Sequence, residues 1–213
     1  MVVVAGGLPP SHKASADHRS LGEGGKASGY RAWGYSLIEL LFATALIAIV
    51  SAIAVPQSLA AVDRARAASA ARYLASRMAV ARSQAVMRSA HVALRFEDRP
   101  SGITFRMFVD GNRNGVRAAD ITAGIDPPLD AAVRLADLYS GVAIAVADDA
   151  GTDPLRLGAS NLLSFTPLGT ATSGSVFVRG RDGSQFAIRV LGATGRVRVQ
   201  RFVPRTRTWV DSS

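Results

Sequence analysis

The chain has no cysteine in its 213 residues. That absence excludes disulfides, thiolate metal sites and a cysteine nucleophile, while an oxidising compartment is neither required nor excluded. Histidine is scarce too, with His12 and His18 in the first 34 residues and His91 the third. No nucleophile-elbow, phosphate-loop or metal-helix motif occurs, so the expectation is a non-enzyme without a cofactor. Aromatic residues are few, at 7%. Lysine is confined to Lys13 and Lys26, so everything basic beyond Gly34 is arginine, in a chain of formal net charge +9. Arginine favours planar pairing with carboxylate and phosphate. A high-GC genome produces the same bias, and a basic surface also suits an anionic membrane or cell-envelope polymers.

What the chain does have is apolar residue, 48% of it, distributed unevenly. Residues 1–34 are rich in Gly, Ser, Ala and Pro and show no periodicity, the composition of a disordered leader. Tyr35 to Val55 is then a 21-residue apolar run, about 31 Å long as a helix and so long enough to span a bilayer. An ordinary secretory signal has a shorter apolar core followed by a small-residue cleavage site; here the small residue, Gly34, comes first. Flanking basic residues do not decide orientation, because Arg19, Lys26 and Arg31 upstream are balanced by Arg64, Arg66 and Arg72 downstream. Only one charge, Glu39, sits inside the run. A carboxylate at a membrane-helix centre costs about 2.5–3.5 kcal/mol, and less near the end, so a compensating partner is expected.

Gly34-Tyr35-Ser36-Leu37-Ile38-Glu39-Leu40-Leu41 resembles the type IV prepilin signature. The resemblance implies cleavage by a prepilin peptidase between Gly34 and Tyr35, N-methylation of the new Tyr35 amine, and retention of the apolar helix. Tyr35 stands where the family usually has Phe. The leader is longer than most, which hints at a mis-assigned start codon. The new amine would lie one helical turn from Glu39, and in a filament the carboxylate would pair with a neighbour's amine, relieving its burial. The bland alternative is an acid snorkelling to the interface. Pro56 matches a helix-kinking proline common in pilins, and also reads as a proline just past a membrane segment.

From Gln57 to about Ser89 there is neither Pro nor Gly, and Ala60, Ala67, Ala71, Leu74, Met78, Ala81 and Ala85 form an apolar helical stripe. Arg64, Arg66, Arg72, Arg77, Arg82 and Arg88 are spread over the other faces, as solvated surface. Beyond His91 the period becomes two. Val92, Leu94 and Phe96, then Ile103, Phe105, Met107 and Val109, predict a hairpin about a turn at Asp98–Gly102. A turn-rich stretch, Asp110–Asp137, precedes further strands at Val142–Ala147, Leu162–Thr166, Ser175–Arg179, Phe186–Val190 and Val197–Arg201, with no further helix. The expected fold is α+β: a long N-terminal helix, membrane-spanning in its first half, packed on a C-terminal antiparallel sheet, pilin-like. The expected divisions are a leader 1–34, a core helix 35–55, an amphipathic helix 56–90 and a periplasmic β domain 91–213 with a basic C-terminal tail.

Leu163-Ser164-Phe165-Thr166-Pro167-Leu168-Gly169, Gly174-Ser175-Val176 and Gly195-Arg196-Val197-Arg198 resemble the GspH/FimT subfamily, minor pseudopilins of type II secretion and minor pilins of type IV pili. The resemblance implies a bitopic inner-membrane subunit whose partners are other pilins or pseudopilins, with its globular part at or near the filament tip. It also implies a candidate DNA site, since the Gly195–Arg198 stretch corresponds to a motif that competence pilins use to hold DNA. Alternation puts Arg196 and Arg198 on one face, and Arg201, Arg205 and Arg207 follow. Such a patch would grip phosphate backbones without reading sequence. DNA is the less favoured partner, because the same motif occurs as plain sheet edge in members that do not bind it. A second candidate, for calcium, is Asp110-Gly111-Asn112-Arg113-Asn114-Gly115. Asp110, Asn112 and Asn114 supply oxygens at calcium-loop spacing, but position 12 is Ile121, and Asp120 comes one residue early. An Asx/Gly turn is the favoured reading there. The expected function is therefore a minor pseudopilin; the rivals are a DNA-receptor pilin and a plain single-pass anchored binding domain.

Overall fold

Alanine-rich sequence with apolar residues at helical spacing builds one long helix. In the computed structural model this is α1, Leu37–Arg88. The structure describes residues 34–146, 153–158 and 160–212. The disorder expected upstream of Gly34, and Ala147 at the end of one expected strand, lie outside the described residues. The chain divides into two compact units, Met1–Ala45 and Leu46–Ser213.

In the first unit every described residue is exposed, large apolar side chains such as Tyr35, Leu37, Ile38 and Phe42 included. In the second unit α1 continues with bare apolar residues, Leu46, Ile47, Val50, Ile53 and Val55 among them, and carries Pro56 in its interior. By length and composition α1 is able to cross a membrane. From Ala67 onward one face of the helix is buried, through Ala67, Ala70, Ala71, Leu74, Met78, Ala81 and Ala85. Ala70 joins the expected stripe, whereas Ala60 is only half-buried. Ser89, in a left-handed conformation at φ 49°, ends the helix, and Ala90 N–H bonds back to the Ala85 carbonyl at 3.2 Å.

The strands follow as β1 (Val92–Glu97) and β2 (Thr104–Val109), the expected hairpin, with Phe96 opposite Phe105. Two short helices interrupt the turn-rich stretch, α2 (Ala118–Thr122) and α3 (Leu135–Leu138), with β3 (Val133–Arg134) directly before the second. Then come β4 (Ala143–Ile144), β5 (Leu155–Arg156), β6 (Leu162–Phe165), β7 (Gly174–Arg179), β8 (Gln185–Leu191), β9 (Arg196–Val203) and β10 (Thr208–Asp211). All pairs are antiparallel.

They form two sheets. Four strands run in the order β3-β2-β1-β6, and six in the order β10-β9-β8-β7-β4 with β5 also on β7. Three expectations need correction. The helical turns α2 and α3 occupy a stretch expected to hold none. Among the described residues, the strand expected over Val142–Ala147 is reduced to Ala143 and Ile144, with one further bond from Ala145 N–H to the Phe177 carbonyl at 3.1 Å. The basic tail expected after Arg201 is a hairpin, since β9 extends to Val203 and β10 pairs back on it. Trp209 supplies the apolar anchor for that return, its ring 5.2 Å from Phe202 and 5.6 Å from Phe177.

The main core joins the buried face of α1 to Leu94, Phe96, Phe105, Leu163 and Phe165 of the first sheet and to Val176, Val178, Phe186 and Ile188 of the second. Two arginines read as solvated surface also tie the helix down. Arg77 pairs with Asp130, whose other oxygen accepts the Met107 N–H at 2.8 Å. Arg82 Nε donates to the Gly169 carbonyl at 2.9 Å.

Candidate functional site

The start of α1 is built by a polar cap. Ser36 Oγ accepts the Glu39 N–H at 3.2 Å, and the Ser36 carbonyl accepts that of Leu40 at 3.1 Å. Ser36-Leu37-Ile38-Glu39 therefore has capping-box spacing, with an acid in the first turn. Ser36 is a residue the sequence reading passed over, although Ser-x-x-Glu before an apolar run is a legible signal. Glu39 is exposed among apolar neighbours and has no ion-pair partner among the described residues. Gly34 and Tyr35 precede the helix in open chain, where nothing lies within 4 Å of a side chain built on Gly34.

The basic strand β9 begins at a tight turn. Gly195 has φ +59°, and a side chain there would collide with the Gly169 carbonyl and press on Arg82, which accounts locally for glycine ahead of the arginines. Arg196 and Arg198 then point to one side of the sheet, both exposed, while Val197 and Val199 pack on the core. Arg198 stands directly across from Arg189 of β8. Arg189 lies over the Trp209 ring at 5.9 Å, and Arg156 over Phe177 at 5.0 Å. Strand alternation places Arg201 on the opposite side, towards α1. There it lines a groove with Arg64, Asp182 and Arg205. Arg205 and Arg207 belong to the turn between β9 and β10. The five arginines grouped from sequence thus do not share a face.

The Asp110 loop is organised by carboxylates that hold backbone. Asp110 accepts the N–H of Gly115 at 2.8 Å and of Asn112 at 3.2 Å. Its side chain is 1% exposed, with His91 Nδ1 3.4 Å away. Burial by itself would raise the Asp110 pKa, but the backbone N–H groups of Gly115, Asn112, Arg113 and Asn114 outweigh it and the pKa is lowered. Asp126, also buried, accepts the N–H of Gly111 and of Arg117, both at 3.0 Å. It is the second organising acid, missed from sequence because it lies 15 residues from its first partner. Asp120 receives the amide of Asn114 at 3.1 Å and that of Asn112 at 3.4 Å. Among the described residues no group of three or more His, Asp or Glu side chains is arranged to hold a metal ion.

The family model described as type II transport protein GspH matches residues 70–195. Among solved structures, the minor pseudopilin EpsH from the type 2 secretion system of Vibrio cholerae is similar at 10% sequence identity with a TM-score of 0.42, over 63% of this chain and 95% of that one. No curated protein matches the sequence significantly.

Proposed function

The chain belongs to the GspH family of type II transport proteins, which makes it a minor pseudopilin of type II protein secretion, and from that premise we propose how it is processed, anchored and assembled. It is made as a prepilin, cut by a prepilin peptidase between Gly34 and Tyr35, and N-methylated on Tyr35. The apolar part of α1 anchors it in the inner membrane as a single pass, with the β domain in the periplasm. On assembly the bare apolar helix is buried among those of other pseudopilins, and Glu39 meets the terminal amine of a neighbour.

One observation carries this reading. The first part of α1 exposes its large apolar side chains and holds a single carboxylate with no ion-pair partner among the described residues. Such a surface is unfavourable in water, and the acid is unfavourable in lipid until it is paired. Burial among neighbouring helices removes the first penalty, and pairing with an amine removes the second. The DNA-receptor alternative rests on Arg196 and Arg198, which are exposed side by side, but it loses Arg201 to the other face of the sheet.

The test is mass spectrometry of the processed N-terminus combined with a Glu39→Ala variant. The proposal expects methylated Tyr35 as first residue and loss of the variant from sheared or cross-linked pseudopili. A chain that keeps its leader, or a variant that assembles like wild type, overturns it.

A further inference from the structure

At the end of the β domain from which α1 emerges, arginines line two neighbouring grooves that share Arg64 and Arg201. Arg64, Arg201 and Arg205 line a groove of about 390 Å³, and Arg64, Arg72 and Arg201 line the adjoining one. Two acids are present. Asp182 lies 3.6 Å from Arg64, and Asp211, 4.0 Å from Arg198, also accepts the Gln200 amide. Arg72, Arg201 and Arg205 are exposed and have no carboxylate within ion-pair distance among the described residues. Exposed like charges grouped on one surface raise the local positive potential and so attract anions.

The place of the cluster identifies the anion. Apolar residues stand bare on the same helix through Val55, followed by Leu59. Arg64 is nine residues past Val55, about 13 Å along the helix axis. A bilayer adds roughly 5–8 Å of headgroup to each side of its hydrocarbon core, and an arginine side chain reaches back most of the difference. We infer that Arg64, Arg201 and Arg205 form a collar that docks on anionic lipid headgroups of the membrane crossed by α1. The guanidinium groups attract lipid phosphate through their positive charge. The collar holds the unassembled subunit at a set depth and tilt, ready for insertion at a filament base. This rests on the membrane reading of α1 but not on Glu39 or on processing.

The absence of cysteine makes the test clean, because a single Thr206→Cys substitution in the exposed turn takes one label. The full chain is reconstituted in bilayer discs of phosphatidylcholine alone or with phosphatidylglycerol, and the label is probed with an aqueous quencher. Each arginine near an anionic surface is worth about a fivefold change in docking. Phosphatidylglycerol should therefore shield the label several-fold, and high salt should release it. Replacing Arg64, Arg201 and Arg205 together by Gln should lower docking more than tenfold, while Lys at the same positions keeps it, which separates lost charge from lost folding. Equal quenching in the two bilayers overturns the collar, as does a lipid response that survives in the Gln variant. Shielding in neutral discs produced by added inorganic phosphate, or by cross-linking to a neighbouring subunit, overturns it as well. A chain that fails to float with either bilayer overturns the membrane reading itself.

Discussion

At the scale of single residues, buried carboxylates in this protein serve as surrogate backbone acceptors. Asp110 and Asp126 between them organise a loop from Asp110 to Arg117 that has little apolar content of its own. Removing such an acceptor leaves buried N–H groups unpaired, at about 1–3 kcal/mol. Asp110→Ala is accordingly expected to lower the unfolding free energy by about that amount at neutral pH, measured by urea titration. The pH dependence has a definite sign. The Asp110 pKa is lower in the folded chain than its ordinary value of 3.8, so its contribution is complete above that value and fades as pH falls through the folded one. The gap between wild type and Asp110→Asn should therefore be wide at pH 7 and close under strong acid. A gap that stays constant across that range would show that the charge of Asp110 contributes nothing.

At the scale of elements, the seat of α1 on the sheets is made largely of alanine. Ala67, Ala70, Ala71, Ala81 and Ala85 are fully buried, with Leu74 and Met78 as the larger pegs. Leu74→Ala should cost about 2–5 kcal/mol, and Ala71→Leu about 1–3 kcal/mol through overpacking. Thermal melts of the two variants check both, and indifference to the larger side chain at Ala71 would mean that the seat is loose. These long elements were legible in the sequence because each keeps its period, near 3.6 along α1 and two along β1 and β2. The pairs at β3, β4 and β5 were not, since two residues carry no period. The division into two sheets was hidden as well, because Leu163 meets Leu94 through a pairing far apart in sequence that no local pattern encodes. The β9–β10 hairpin was concealed by its arginines, and what closes it is the packing of Trp209 on Phe202 and Phe177. Of the candidate site, the Glu39 position and the outward Arg196–Arg198 pair could be read from spacing alone. The Ser36 cap was legible but passed over, and Asp126 needed the fold.

At the scale of the whole molecule, the core begins late. No fully buried residue precedes Ala67 among the described residues, so the helix upstream adds little to the stability of the β domain. A chain beginning at Gln57 is expected to stay in solution without detergent and to melt at the temperature of the longer protein in detergent. A large drop in its midpoint would mean that the upstream helix supports the fold. Anchorage and folding are in this sense separate tasks, assigned to different stretches of one chain. The strand β9 joins them in one respect, because its alternation sends Arg196 and Arg198 outward and turns Arg201 back to the stem. A mutagenesis campaign that strips every arginine from this hairpin at once would blend two phenotypes, one belonging to whatever approaches the flank and one to how the subunit stands at its base. Changing the two faces in separate strains is the only design that lets either be read.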